Sequence, residues 1–460
     1  MVGRDAELAS IREFFHSVRE GPAALDPRAV ALDRARCASP IRGLTRSAIV
    51  SCVVASRNNQ GMAEATIDGM AFFDGASAGG AFRLSEAAAE DSTEIIDEWT
   101  IEVRAGSHIV VARRDGGATY EAARDGALAA ANKGLDFLCL RGATPMAIRH
   151  AGTEHIVWWT EDSQSVIRLL SIPTLTLHVG KVTVTGGTPV VPPPPEWQES
   201  ARYFRLSQLT DDLFDSFRNV YLALESILDH LAPQRTTPPL EREGEWFRRA
   251  LTEAGKIVNL AGHAPKGASD PVEALYDELY LSTRNLVFHA KSTRAYLLPH
   301  SSPERRAVEE TTRRAAYFYL ALAEKVIHLR PPGSGWFAGA WRMLVDGLAP
   351  RLGIVVTNDP APFSADETAI NPSGGELVEL SVSRASEHDR PFEHAFLGVG
   401  QGSEIANLRQ VTRVCSTVDG EPHSAGIPEG AFLVSDLDRF EALVVLRARN
   451  ANEPKRDFAS

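Results

Sequence analysis

Four consecutive prolines at 192–195, inside Thr188-Pro-Val-Val-Pro-Pro-Pro-Pro-Glu196, constrain this chain more than any other feature. Each proline ring locks φ at about −65° and removes an amide donor. Such a run forms neither a helix nor a central strand, and favours a stiff polyproline segment. A second, shorter break follows at Arg330-Pro-Pro-Gly-Ser-Gly335. The two breaks cut the 460 residues into three stretches, in line with the roughly three domains expected of that length. The expected organisation is a mixed α/β N-terminal domain over residues 1–187 and a proline-rich linker at 188–196. A helical segment at 197–330 and a β-rich C-terminal domain at 336–460 follow. The fold class predicted from this is α+β multidomain, a central antiparallel helical bundle flanked by the other two domains.

In the first stretch, apolar Leu8, Ile11, Phe14 and Phe15 predict a short helix over Asp5–Arg19. Strand-like runs follow at Ala48–Ala55, Trp99–Val103, Ile109–Ala112, Ile156–Trp159, Val166–Ile172 and Leu175–Val184, with a helix at Tyr120–Asn132 among them. The last stretch carries strand-like runs at Gly353–Thr357, Leu377–Val382, Ala395–Val399, Gln410–Val414 and Ala442–Leu446. Asn358-Asp-Pro360 and Gly374-Gly375 mark turns between them.

The middle stretch has helical periodicity. Leu209, Leu213, Phe217, Val220, Leu224, Ile227 and Leu231 recur at spacings of three and four, one face of a long helix that Pro233 stops. A second helix is predicted over Glu241–Ala261. Asp270-Pro271 supplies an N-cap and a first-turn proline for a third, running to about Thr293. Val308, Ala315, Tyr319, Leu322, Val326 and Leu329 mark a fourth. Short connections between four helices predict antiparallel neighbours. On the third helix, Leu275, Leu279, Leu286 and Ala290 share one stripe, and Leu281, Arg284 and Phe288 lie nearly opposite. Glu278, Ser282, Asn285 and His289 form a polar flank between them. An apolar face that also holds an arginine suggests a second packing surface, such as a second subunit.

Arg284-Asn-Leu-Val-Phe-His289 is an R-N-x-x-x-H arrangement late in this helical segment. It resembles the signature of the HEPN superfamily, the higher eukaryote and prokaryote nucleotide-binding domains. The run Tyr203–Glu225 is similar to the corresponding region of MauJ-like proteins. The resemblance covers roughly residues 200–330 and leaves the flanks unassigned. It implies a metal-independent endoribonuclease that acts as a homodimer on an RNA substrate, with a defence or toxin-type role, no cofactor and no metal. His289 would then be the general base or acid at the ribose 2′-OH, and Arg284 would stabilise charge on the phosphorane. The chemistry suits those types: imidazole titrates near neutral pH, and guanidinium grips phosphate through two donors at once. Asn285, one turn before His289, would orient its ring. Attack by the 2′-OH leaves a cyclic phosphate and a free 5′-OH. Arg284 and His289 lie about 140° apart on an ideal helix, which suits a site completed across a dimer. The alternative is a non-catalytic HEPN-like scaffold that dimerises or binds nucleotide.

The net charge of −12 argues against a surface that binds nucleic acid along its whole length. The acidity is uneven, however. Residues 201–330 hold 18 Lys and Arg against 17 Asp and Glu, which leaves −13 on the rest. A local phosphate site is therefore compatible with the charge, with acidic neighbours restraining RNA access. Cys37, Cys52, Cys139 and Cys415 are scattered, which fits neither a zinc site nor a disulfide framework. The charged start, Met1-Val-Gly-Arg-Asp-Ala-Glu, does not read as a signal peptide, and no run approaches the roughly 20 apolar residues of a membrane span. A soluble, cytoplasmic protein is expected, with no membrane contact.

The remaining motifs point to packing rather than chemistry. Gly75-Ala-Ser-Ala-Gly79 matches the G-x-S-x-G elbow around Ser77 but lacks the helix that should follow, so a small-residue loop is expected. Gly398-Val-Gly-Gln-Gly402 is expected to turn a hairpin. His150 and His155 straddle a predicted turn before Trp158-Trp159, which reads as a packed pair. Glu393-His394 and His423 are isolated, and Trp336, Phe337 and Trp341 are expected to anchor a short helix after the second break.

Overall fold

A computed structural model describes residues 64–73, 78–141, 145–149, 151–172, 174–177, 193–288, 302–329, 338–361, 369–385, 392–426, 432–435, 437–450, 453–455 and 457–458. These belong to one compact unit, Asn58–Ala361 with Thr368–Ser460. The expected helix at Asp5–Arg19, the strand at Ala48–Ala55, the Ser77 loop, His150, the Trp336-Phe337 pair and His289 all lie outside the described residues.

The N-terminal stretch is built from short strands of alternating burial: β1 (Glu64–Ile67), β2 (Met70–Ala71), β3 (Ala78–Leu84), β4 (Ser92–Ile96), β5 (Trp99–Val103) and β6 (Ile109–Arg114). In β4, Glu94 and Ile96 point inward while Thr93 and Ile95 face solvent, the two-residue period of a strand covered on one side. Helix α1 (Tyr120–Leu140) starts at Thr119, whose hydroxyl accepts from the Ala122 amide. It lays Ala127, Ala131 and Leu135 over Phe82, Ile101, Val110 and Ala112. Strands β7 (Ile148–Arg149), β8 (Glu154–Glu161), β9 (Gln164–Ser171) and β10 (Thr174–Leu177) complete this stretch. Trp158 and Trp159 are both buried in β8 but not as the expected packed pair: successive strand residues face opposite sides, so Trp158 packs with Phe72 and Trp159 with Tyr120. The His155 Nδ1 donates to the Ala151 carbonyl at 2.7 Å, and its Nε2 lies 2.9 Å from the Tyr120 hydroxyl.

Helices follow: α2 (Ser200–Leu209), α3 (Leu213–Leu231), α4 (Glu243–Ala254), α5 (residues 271–287), α6 (Ser302–Val326) and α7 (Ala338–Leu348). The single helix expected through Leu209 and Leu231 is two. Asp212 accepts from the Asp215 amide at 2.6 Å and caps a new start, which leaves Leu209 63% exposed. Asp270 caps α5 as its sequence predicts, through the Val272 and Glu273 amides. Phe217, Leu224, Phe247, Leu279, Phe318 and Leu322 meet in the core of these helices.

The C-terminal stretch adds β11 (Leu352–Thr357), β12 (Leu377–Ala385) and β13 (Glu393–Gln401). It continues through α8 (Gly402–Leu408), β14 (Gln410–Val411), β15 (Arg413–Val418), β16 (Glu421–Gly426), β17 (Phe432–Ser435) and β18 (Arg439–Asn450). Gly398–Gly402 does not turn a hairpin: it runs out of β13 straight into α8.

Strand pairing overturns the expected fold class. Fourteen strands join in one sheet in the order β16-β15-β11-β12-β13-β18-β9-β8-β3-β6-β5-β4, with β10 on β18 and β7 on β3. A second sheet has the order β14-β17-β1-β2. The described chain is organised on this large sheet, not as a central helical bundle between two flanking domains. Strand β9 runs parallel to β18, from Val166↔Arg439 to Ser171↔Val444, and β1 runs antiparallel to β17. The physical reason is edge satisfaction. A buried strand edge needs hydrogen-bond partners, and the edges of the first and last stretches supply each other's. Between the sheets, Ile67, Phe72 and Phe432 pack with Trp158, Ile167 and Phe440, and Phe72 stacks on Trp158 at 4.1 Å. The helices occupy the crossover between β10 and β11. The C-terminal tail ties them back to the sheet: Phe458 is buried in the helical core, and the Lys455 amide donates to Gln208 Oε1 at 2.7 Å.

Candidate functional site

Helix α5 is not uniformly α-helical. It begins as Pro271–Leu275, continues as a π-helix over Tyr276–Arg284 and closes as Asn285–Val287. The i→i+5 bonds of a π-helix take more residues per turn than the 3.6 of an α-helix. The inward stripe therefore moves: Leu275, Leu279, Thr283 and Val287 are buried, at even spacings of four, and Leu286 is only half-buried. That corrects the expected stripe through Leu286. Of the expected polar flank, Glu278 turns to α6, where it pairs with Arg314 at 3.0 Å and accepts from Thr311 at 3.0 Å. Burial still raises its pKa, against the pull of Arg314.

Arg284 sits at the end of the π-turn with its side chain 24% exposed. Its Nη2 donates to Glu243 Oε1 at 2.9 Å and its Nη1 to Asn285 Oδ1 at 3.2 Å. Asn285 thus contacts Arg284, the residue beside it. The Tyr280 and Phe288 rings flank the guanidinium at 5.3 and 5.6 Å. Its Nε is buried and has no hydrogen-bond partner among the described residues. The same holds for the hydroxyl of Tyr221, on α3.

One carboxylate contacts this guanidinium and a second lies within its electrostatic reach. Glu243, in the first turn of α4, also accepts from the Tyr280 hydroxyl at 3.3 Å. Glu225, on α3, is half-buried; burial raises its pKa, the Glu243 charge raises it further, and Arg284 opposes both. Burial raises the pKa of Tyr221 most, with Glu225 next, and raises that of Tyr280, with Glu243 next. The cluster joins α3, α4 and α5. Sequence reasoning found Arg284 and Asn285 but missed Glu243, Tyr280 and Tyr221. Their spacings from Arg284 run from 4 residues (Tyr280) to 63 (Tyr221), and only Tyr280 leaves a helical-spacing signal.

A surface groove of about 400 Å³, lined by Asp346, Pro350, Val382, Arg384 and Phe396, includes none of the predicted site residues. Among the described residues, no group of three or more His, Cys, Asp and Glu side chains is placed to hold a metal, and no helix is long and apolar enough to cross a membrane. Comparison with family models, with curated proteins and with solved structures finds no match to this chain.

Proposed function

We propose that the helical insertion acts on RNA as a metal-independent endoribonuclease of HEPN type, as a cytoplasmic homodimer. Arg284 grips the scissile phosphate, Asn285 steadies the guanidinium, and His289 moves the proton at the ribose 2′-OH. What supports this reading is the setting of Arg284. The side chain is half-buried between two aromatic rings, its Nη2 on a carboxylate and its Nε with no acceptor among the described residues. A guanidinium so placed suits a second anion better than solvent does. The acidic remainder of the chain acts as a restraint, keeping RNA away until the insertion is presented to it.

The scaffold reading has one observation in its favour: Glu243 already fills Arg284. On that reading the exposed Leu281 and Phe288 meet a second copy and no chemistry follows.

The two separate in one experiment. Full-length protein and its Arg284→Ala and His289→Ala variants are incubated with RNA and a metal chelator. The nuclease reading expects cleavage by the parent to cyclic-phosphate and 5′-OH ends, reduced at least about a hundredfold in the His289 variant, the low end for a lost acid–base group. Equal background in all three refutes it and leaves the scaffold.

A further inference from the structure

We infer that the Glu243 carboxylate occupies a built oxyanion site whose donors are Arg284, Tyr280 and Tyr221, and that an RNA phosphodiester enters it by displacing Glu243. The inference rests on the reading of this segment as RNA-handling and assigns it two further binding residues and an internal competitor.

The carboxylate already sits as a bound anion would. One oxygen takes Arg284 Nη2 at 2.9 Å and the other takes the Tyr280 hydroxyl at 3.3 Å. Two donors converging on two oxygens of one group also suit the non-bridging oxygens of a phosphodiester. Two further donors on these residues are buried with no hydrogen-bond partner among the described residues, Arg284 Nε and the hydroxyl of Tyr221, whose ring packs 6.3 Å from the Phe288 ring that flanks Arg284. Tyr221 is only 2% exposed, and it lies in the field of Arg284, Glu243 and Tyr280. A buried donor left unfilled is costly and marks where an acceptor is missing. A planar carboxylate presents two oxygens, whereas a tetrahedral phosphate presents oxygens in further directions and reaches donors that Glu243 leaves unmet.

Glu243 is also poorly suited to stay. The Glu225 carboxylate lies close enough to Glu243 for the two charges to repel. Glu243 is half-exposed in the first turn of α4, where the helix dipole favours its charge with or without Arg284. Rotation of one exposed side chain frees the guanidinium without repacking the core. Removal of that charge also shifts Glu225, Glu243 and Arg284 from net negative to neutral, which lowers the barrier to a polyanion.

The test uses full-length protein and a fluorescent 2′-O-methyl RNA oligonucleotide, which binds but offers no 2′-OH to attack. Binding is read by anisotropy at fixed salt. Glu243→Gln, which keeps the side-chain shape, is expected to bind about tenfold more tightly than the parent, the scale of one removed like charge at partly screened range. In that background Tyr280→Phe and Tyr221→Phe are each expected to give back roughly tenfold, the scale of one hydrogen bond to a charged group. The inference is overturned if the Gln variant binds no better than the parent, or if both phenylalanine variants bind as it does. If Glu243→Gln does not fold, Tyr221→Phe against the parent decides instead: weaker binding supports the site and equal binding removes it. Cleavage of ordinary RNA is scored separately. Binding that follows this pattern without cleavage retains the oxyanion site and ends the nuclease reading. Cleavage that depends on Arg284 and His289, with binding indifferent to Glu243 and the tyrosines, does the reverse.

Discussion

Glu441→Ala tests whether the first and last stretches are one folded body. Glu441 lies directly across from Arg168 in the parallel β9–β18 pairing. Its carboxylate accepts from Arg168 Nε at 2.6 Å and forms an ion pair with Arg439, whose Nε lies 3.0 Å away. The Arg168 and Glu441 side chains are 8% and 5% exposed, so this is an interior pair. Arg168 also lies over the Tyr120 ring at 4.3 Å and the Trp159 ring at 5.3 Å, which hold the guanidinium in place once the carboxylate is gone. Removal of one member of a buried pair costs about 3–5 kcal/mol, because the remaining charge has lost its counter-ion away from water. Against a total stability of roughly 5–15 kcal/mol, that is a large share. With a urea slope of about 3 kcal/mol per molar or more for a unit of this size, the midpoint should fall by roughly 1 M. The assay is urea unfolding followed by tryptophan fluorescence, with hydrogen exchange of the β8 and β9 amides. A change made in the last stretch is expected to speed exchange in the first. Replacing both partners, as in Arg168→Met with Glu441→Leu, is expected to recover most of the loss. A cost under about 1 kcal/mol, typical of an exposed pair, refutes the reasoning. So does exchange in β8 and β9 that ignores the substitution.

Two further outcomes are expected. Ala at Gly402 would place a Cβ 1.5 Å from the Leu437 carbonyl oxygen, a backbone atom that cannot rotate away, whereas at Gly398 the nearest atom is a Leu380 methyl at 3.0 Å. Gly402→Ala should therefore cost about 3 kcal/mol or more and Gly398→Ala well under half of that, compared by thermal melting; equal costs would contradict the close approach. Glu225 has a pKa above the ordinary 4.5, so the folded state holds its proton more tightly and stability falls as pH rises from 4.5 through the raised value. Glu225→Gln should flatten that decline in urea midpoints, and an unchanged pH profile would show that the burial of Glu225 has no energetic consequence.

Local features of the fold were legible. Trp99–Val103 forms a strand with the expected bounds, and Leu352–Thr357 contains the expected Gly353–Thr357. Asp270 caps its helix because a short carboxylate followed by proline satisfies first-turn amides without help from distant residues. Legibility failed where a competing local choice depended on packing. The run from Leu209 to Leu231 has unbroken periodicity, yet Asp212 caps a fresh helix inside it. The π-turn over Tyr276–Arg284 moves the buried stripe from Leu286 to Thr283 and Val287, a change of hydrogen-bond register that residue spacing does not encode. For the site, Arg284 and Asn285 could be named from their motif, while Glu243, which accepts from Arg284, and the buried Tyr221 lie on two other helices.

Sequence alone dictated a mixed α/β first stretch, a helical middle, a β-rich last stretch and acidity concentrated outside that middle, because propensity, periodicity and charge act over a few residues. Tertiary structure alone decided that β9 and β18, with Arg168 and Glu441 in register, merge the ends into one sheet. It alone placed Glu243, rather than solvent, on Arg284. Both outcomes depend on buried groups finding partners far along the chain. A strand edge or a half-buried guanidinium fixes the kind of partner it requires, and the packing of the whole molecule selects which residue that is.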